Sequence, residues 1–449
     1  MSEKGFHHAL KILPDVCIGC THCMTACPTE ALRVRDGHAV LLENRCVDCG
    51  KCMKVCPVNA IIIEQDDFNE IYNYKVRVAL VPSILIGQFP RHYPGRQIYS
   101  GLLDQGFTHV YEAEHGAGML MEEINKYVAD HRDIRPVISS FCPATVRLIQ
   151  VRFPNLAENI MPLKAPLDIA SISIKEELIE RGHNPDEIGI FYITPCAAKI
   201  AAIKSPVGED KSPINGVINL DLMFNKVYND FKKMKRSSCI IPEKEQLHPS
   251  EMEWSLTGGE AKHIEGRCLS IDGIKNVTEF LESVENGTAT NFDFIEIRAC
   301  DESCSGGILT TANRFLTTER LRERVDKYER NKNEGKLNTF KSIEKHRETV
   351  LKNIRIKQVE PRSMLKLDED FEQALFKMQQ IKKITKYLPG LDCGGCGAPT
   401  CRTLAEDTVQ GKAHTSDCIF VQYSLNTELS EKSDVIKVWG LEKIKKLKN

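Results

Sequence analysis

From about Tyr74 onward the chain alternates short apolar runs with stretches of helical period. Val76 to Val81 is apolar and rich in β-branched residues, Gln97 to Gln105 has helical spacing, Thr108 to Tyr111 is again strand-like, and Ala117 to about Val128 is helical. Strands alternating with helices predict an α/β fold with a largely parallel sheet. Three later strands, Pro136 to Ser139, Gly189 to Ile193 and Phe294 to Arg298, each run into a cysteine-containing loop. Ligands of open α/β sheets bind beyond the carboxyl ends of strands, so these loops are candidates to converge. The first 65 residues read differently. Leu32 to Arg35, the turn Asp36-Gly37 and the run from Ala39 predict a hairpin, and Ala60-Ile-Ile-Ile a short strand. Thr317 to about Asp370, dense in Lys, Arg and Glu, predicts solvated helices and connecting loops. In the Lys-rich end, Val435, Val438, Trp439 and Leu441 predict an amphipathic helix docked on the protein itself, the better reading, or on a separate partner.

Composition bounds what this pattern can be. At about 150 residues per domain, 449 residues predict about three domains. The 42% hydrophobic and 27% charged content excludes a disordered or collagen-like chain. Sixty Lys+Arg against 62 Asp+Glu leave a net charge of -2, which provides no electrostatic footprint for nucleic acid or an anionic membrane. The start, MSEKGFHHAL, has no signal-peptide pattern, and the best apolar stretch, Val78 to Gly87, is too short to span a bilayer. The expected location is cytoplasmic. In that compartment 18 cysteines in short motifs predict metal ligands rather than disulfides.

Cys17-x2-Cys20-x2-Cys23-x3-Cys27-Pro28 returns 29 residues later as Cys46-x2-Cys49-x2-Cys52-x3-Cys56-Pro57. The doubled run resembles the bacterial two-cluster ferredoxins, in which three thiolates of a run hold one cubane and the fourth crosses to the other. The resemblance implies one [4Fe-4S] cluster on Cys17, Cys20, Cys23 and Cys56, and another on Cys46, Cys49, Cys52 and Cys27. A zinc ribbon is the bland alternative, but it pairs C-x2-C units across a longer loop. Near the end, Cys393-Gly-Gly-Cys396-Gly-Ala-Pro-Thr-Cys401 with Cys418 resembles a small single-cluster [4Fe-4S] domain, zinc being the weaker reading.

Ser139-Ser-Phe-Cys142-Pro143, Thr194-Pro195-Cys196-Ala-Ala-Lys199 and Ala299-Cys300-Asp-Glu-Ser-Cys304-Ser-Gly306-Gly307 resemble, in order and spacing, the three signature segments of [FeFe] hydrogenases. The glycine pair follows Cys304 one residue early. The resemblance implies that Cys142, Cys196, Cys300 and Cys304 hold the cubane of an H-cluster and that Cys304 bridges to a two-iron subsite carrying CO, CN and a bridging dithiolate. Lys199 would donate to a cyanide ligand, a task that suits an ammonium with three donors. Without the family, the four cysteines read as isolated buried thiols and Lys199 as a solvated lysine. Cys239 and Cys268 match no segment.

The departures are as specific as the matches. Phe141 replaces the family's proton-exchanging cysteine, Thr194 and Arg298 replace two methionines near the subsite, and Ala202 replaces a glutamate. Loss of a positioned acid/base costs about 10²- to 10⁴-fold in rate. Glu122-Glu123 lies where the family keeps relay carboxylates, with Lys126 at the next relay position, and two exposed helix acids are an equally good reading. Ser139, Ser140, Thr194 or water would offer another proton route. The altered first segment with the C-terminal cluster motif resembles the hydrogenase subgroup proposed to be sensory.

The expected fold is an α/β H-cluster domain of two lobes with mostly parallel sheets, plus a small α+β ferredoxin-like N-terminal domain and a small C-terminal Fe-S domain. The expected boundaries are 1–70 for the two-cluster domain, 71–320 for the H-cluster domain, 321–372 for a charged helical connector, 373–430 for the single-cluster domain and 431–449 for a basic tail. The expected activity is slow, reversible conversion of protons and electrons to H2, serving as an H2 or redox sensor. Its expected partners are H2, protons, a ferredoxin or similar one-electron carrier, hydrogenase maturation factors and a signalling protein. Alternatives are a cubane-only electron-transfer or Fe-S assembly scaffold and an efficient hydrogenase with a rerouted proton path.

Overall fold

The computed structural model describes residues 6–233, 247–289, 291–334, 342–362 and 367–426. Cys239 and the basic tail at 431–449 lie outside the described residues. Eleven strands are described: β1 (Leu10–Ile12), β2 (Leu32–Arg35), β3 (His38–Leu41), β4 (Ile61–Ile63), β5 (Val76–Val81), β6 (His109–Glu112), β7 (Val137–Ile138), β8 (Ile188–Thr194), β9 (Gly216–Asn219), β10 (Cys268–Asp272) and β11 (Phe294–Arg298). By contacts the described residues fall into two compact units. One comprises those of Met1–Leu10, Val47–Gly50 and Ile63–Arg362; the other comprises those of Lys11–Cys46, Lys51–Ile62 and Ser363–Asn449.

The larger unit contains two parallel sheets. β6-β5-β8-β9 form the first and β10-β11-β7 the second, and every neighbouring pair runs parallel. Parallel strands need crossover connections, which helices such as Gly95–Asp104, Ala117–Asp130 and Pro166–Glu180 supply. β8 is buried along its whole length, as expected of a strand covered on both faces. One apolar core packs on the first sheet around Val81, Phe89, Ile98, Ile193 and Ile218; a second surrounds Phe141, Trp254, Phe294 and Ile343. Cys304 touches both cores, so it lies where the two lobes meet.

The charged stretch after Thr317 is less solvated than its composition predicts. In the helix Arg314–Asn333, Thr317, Thr318 and Leu321 are buried, and Arg324 makes a two-pronged pair with buried Glu112 at 2.6 and 2.8 Å. Ile343, Val350 and Ile354 pack into the second core. These apolar residues are too widely spaced to form a periodic signal, which is why the sequence pattern shows only the charges between them.

In the smaller unit, β2 and β3 form the antiparallel hairpin, turning at Asp36-Gly37. The internal repeat is visible in the backbone. Gly19 and Asp48, Thr21 and Gly50, and Glu30 and Asn59 are equivalent pairs 29 residues apart, and all six have positive φ. The N–H of Ala31 donates to Cys27 Sγ and that of Ala60 to Cys56 Sγ, both at 3.2 Å. Five of these six positions lack a β-branch, and four are not glycine, so the loops accept left-handed strain to aim N–H groups at sulfur.

Candidate metal centre

Three loops of the larger unit meet at one buried point. β7 ends at Ile138, and Cys142 then caps the helix Pro143–Arg152, whose first position is proline. β8 ends at Thr194, where the threonine hydroxyl accepts the Cys196 N–H at 3.1 Å and donates to the Cys196 carbonyl at 3.0 Å. This turn sets Cys196 at the start of the helix Ala197–Lys204, which carries Lys199 in its first turn. β11 ends at Arg298 and passes through Cys300 into a tight turn, Ser303–Gly306, that presents Cys304.

Direct contacts tie the loops together. β7 and β11 are sheet neighbours, and Ser139 N–H donates to Ile295 C=O at 3.0 Å. Leu309 N–H donates to Pro195 C=O at 3.0 Å, which seats the Cys304 turn on the Cys196 loop. Gly306 is required there because a Cβ would stand 1.9 Å from the Asp301 carbonyl oxygen. Charge coupling reports the same meeting point. Burial pushes the Cys196 thiol up to about 12, reinforced by Cys142. Burial also raises the Cys304 thiol, with Cys142 and Glu114 adding to the effect and Lys199 and Arg298 opposing it. Burial alone would lower Lys199, but Tyr192, Cys304 and Cys196 outweigh it and hold the ammonium charged. Cys142, Cys196, Cys304 and Lys199 are thus brought together, and Cys300 lies half-buried in the same turn as Cys304.

Phe141 occupies the centre of a cationic cage. The Lys199 ammonium lies 4.5 Å from its ring centre and the Arg298 guanidinium 3.9 Å, while Trp254 meets it edge-on at 6.2 Å. Desolvated cation–π contacts of this kind are worth about 2 kcal/mol each. Arg298 is locked from behind, donating to Glu296 Oε1 at 3.1 Å and to Glu260 Oε2 at 2.9 Å. Glu296 is held in turn by the N–H groups of Gly258, Glu260 and Ala261. Ser139 Oγ donates to Glu260 Oε2 at 2.7 Å and accepts the Phe141 N–H at 3.2 Å. The Glu260 carboxyl is pushed up to about 7 by burial, with Glu296 adding to the effect and Arg298 and Ser139 opposing it.

The smaller unit contains two more cysteine-lined cavities. Cys17, Cys20, Cys23 and Cys56 line one, together with Val34, Ala39 and Ile61. Cys393, Cys396, Cys401 and Cys418 line the other. Of the remaining set, Cys27, Cys46 and Cys49 are half-buried and Cys52 is buried. The acidic pair of the sequence reading faces elsewhere: Glu122 pairs with Arg347, and Glu123 with Lys126 at 2.6 Å. Ser140 donates to Leu163 C=O. Cys268 is half-buried, its thiol directed at Ile264 C=O.

A sequence model of the iron only hydrogenase large subunit, C-terminal domain, matches residues 75–246 and 244–308, more than half of the chain. The chain belongs to that family. A 4Fe-4S dicluster domain matches residues 10–63, and an Fe-S cluster domain matches residues 388–420. Iron hydrogenase 1 of Clostridium pasteurianum is 27% identical over 284 residues, covering 52% of this chain and 49% of that protein. The NADP-reducing hydrogenase subunit HndD of Solidesulfovibrio fructosivorans is 23% identical over 224 residues, covering 48% of this chain and 34% of that protein. The chain therefore spans about half or less of these relatives. The [FeFe]-hydrogenase HydA1 from Chlamydomonas reinhardtii superposes with a TM-score of 0.46 at 16% identity, over 64% of this chain and 94% of that one.

A member of this family is expected to present buried donors where the three loops meet. Ser303 Oγ and Ser305 Oγ flank Cys304, are buried, and have no protein partner. Arg298 Nη1 and Trp254 Nε1 are likewise buried donors without a partner, whereas Glu260 Oε1 is a buried acceptor without one. Buried polar atoms without partners are costly, and the four donors among them suit a group that offers acceptor atoms. Tyr192 takes only one of the three Lys199 donors, at 3.2 Å. The residues fit an iron–sulfur group. Among the described residues no helix is long and apolar enough to cross a membrane.

Sequence reasoning missed Glu260, Glu114, Tyr192 and Trp254. A signal existed for the first. Phe294, Glu296 and Arg298 share one face of an apolar strand. Two opposite charges at that spacing in a buried strand demand a further partner. Thr257-Gly-Gly-Glu260 supplies it.

Proposed function

We propose that this chain interconverts H2 with protons and electrons slowly and serves as an H2 or redox sensor. The observation that carries this reading is the convergence of the Cys142, Cys196 and Cys304 loops on a buried Lys199, with Phe141 where a proton-exchanging side chain belongs. Cys142, Cys196, Cys300 and Cys304 would hold a cubane, and Cys304 a two-iron subsite. When bound, that group supplies a Lewis-acidic iron with an open position and an electron sink. The chain's own residues do the rest. Lys199 offers fixed donors inside a dry pocket, where they count for more than in water. Phe141 and Trp254 exclude water but exchange no proton. Ser139, which accepts the Phe141 N–H, and Glu260 form an exchangeable pair beside Phe141, and Glu260 Oε1 is free to take a proton. Cys17, Cys20, Cys23 and Cys56, then Cys27, Cys46, Cys49 and Cys52, and finally Cys393, Cys396, Cys401 and Cys418 would carry three further [4Fe-4S] clusters. These would exchange electrons with a ferredoxin-type carrier, and a separate signalling protein would read the state.

One observation favours the cubane-only scaffold instead. Phe141 packs directly against both Lys199 and Arg298, so the cations already have a partner without a two-iron group. Infrared spectroscopy after anaerobic loading with a synthetic two-iron cofactor separates the readings. The hydrogenase reading expects CO and CN⁻ bands that shift in Lys199→Ala. Absence of bands in protein with fully assembled cubanes assigns the chain to the scaffold.

A further inference from the structure

The C-terminal cysteine site is built onto the hairpin that walls the first ferredoxin-type site. Val34 lines the cavity of Cys17, Cys20, Cys23 and Cys56, and its N–H donates to the carbonyl of Gly397 at 2.9 Å. Gly397 follows Cys396 directly. It has φ +74, and a Cβ there would stand 2.1 Å from the Val34 carbonyl oxygen, so no other residue permits so close an approach. Arg35 Nη1 donates to the carbonyls of Cys396 and Gly397 at 3.3 and 2.9 Å. On the neighbouring edge the loops touch again: a Cβ on Gly394, the residue after Cys393, would lie 3.0 Å from Cε of Met24, the residue after Cys23.

The seam is fixed by buried charge. Arg33 grips Asp407 with two bonds, at 2.6 and 3.2 Å, and Arg35 donates to the same carboxylate at 2.9 Å. Arg45 donates to Glu406 at 3.1 Å, and Thr403 to Glu30 at 3.0 Å. Arg33 and Asp407 are only 3% and 5% exposed. Removing one member of such a pair leaves a charge buried and unpaired, so loosening the seam is costly. Within the site, Cys393 and Ile419 are exposed.

We infer that the Cys393/Cys396/Cys401/Cys418 site exchanges single electrons directly with the Cys17/Cys20/Cys23/Cys56 site, across the Val34–Gly397 contact. The C-terminal segment is then the outer end of the electron chain, its Cys393 edge facing a one-electron carrier. In each transfer one cluster is oxidised by one electron and the other reduced by one; no bond forms or breaks. The inference rests on iron–sulfur occupancy of both sites and not on a two-iron group.

The test is electron paramagnetic resonance of the anaerobic, fully reduced full-length protein, with iron counted in every sample. The C-terminal cluster signal should be broadened by spin–spin interaction. The broadening should vanish in Cys20→Ala and persist in Cys49→Ala. A sharp C-terminal signal in the parent, or broadening that depends on Cys49 instead, overturns the inference, as does a Cys393 site without iron. If Cys20→Ala does not fold, Asp407→Ala is decisive: at unchanged iron content the broadening should fall at least twofold, and unchanged broadening refutes the wiring. Loss of H2 turnover with the broadening intact would count against the hydrogenase reading alone.

Discussion

At the scale of single residues, Phe141 sets the chemistry. A phenyl ring between two cations seals the pocket but has no proton to give, so a thiol restored at that point should act at once. Phe141→Cys is expected to raise H2 turnover in a dye-linked assay by about 10²-fold, the lower end of what a positioned acid/base contributes. Unchanged turnover would mean that protons already pass by another route. On the proposed reading Glu260 would provide one. Its folded-state value of about 7 lies above that of an exposed carboxyl, so it is neutral below that pH and ionised above it. The folded protein holds the extra proton between about 4.3 and the raised value, and the linkage lowers stability as pH rises through that window. An infrared titration should therefore find a buried carboxyl changing state near neutrality in the parent and none in Glu260→Gln. The same titration surviving in Glu260→Gln would assign it to another acid, Glu114 being the next candidate because burial raises it too.

At the scale of elements, β11 governs the site. It pairs with β7 and β10, delivers Cys300 and Cys304 from its carboxyl end, and carries Arg298 and Glu296 on its buried face. Arg298→Met, which places a methionine where the hydrogenase resemblance implies one, leaves Glu296 and Glu260 without their cation. Breaking a buried pair in this way costs about 3–5 kcal/mol. Denaturant unfolding should show that loss in Arg298→Met and much less of it in Arg298→Met combined with Glu260→Gln; equal losses would mean that Arg298 and Glu260 are not coupled. The strands themselves were legible in sequence, since β5, β8 and β11 are apolar runs bounded by turn residues. The charges of β11 signalled that Arg298 needs a buried partner, but not which residue supplies it, because a hydrogen bond between residues 38 positions apart leaves no periodic trace.

At the scale of the whole molecule, cysteine spacing conveyed more than hydrophobic pattern. Each tight run specifies its own loop, and the repeat reappears as paired positive-φ residues and matched N–H to sulfur bonds. The three cysteine loops of the larger unit were legible only as a set, because each is short and their meeting depends on two separate sheets. The contacts of the charged segment after Thr317 were hidden for the opposite reason: a few buried threonines, leucines and isoleucines anchor a run that otherwise reads as solvent-facing.

The central claim is that thiolates from three distant loops share one iron–sulfur group beside Lys199. Diffraction from anaerobically grown crystals, collected at the iron absorption edge, tests it most directly. The expected result is anomalous density bonded to the sulfurs of Cys142, Cys196, Cys300 and Cys304 together. Iron confined to the other cysteine sets, with these four sulfurs unliganded, would contradict it.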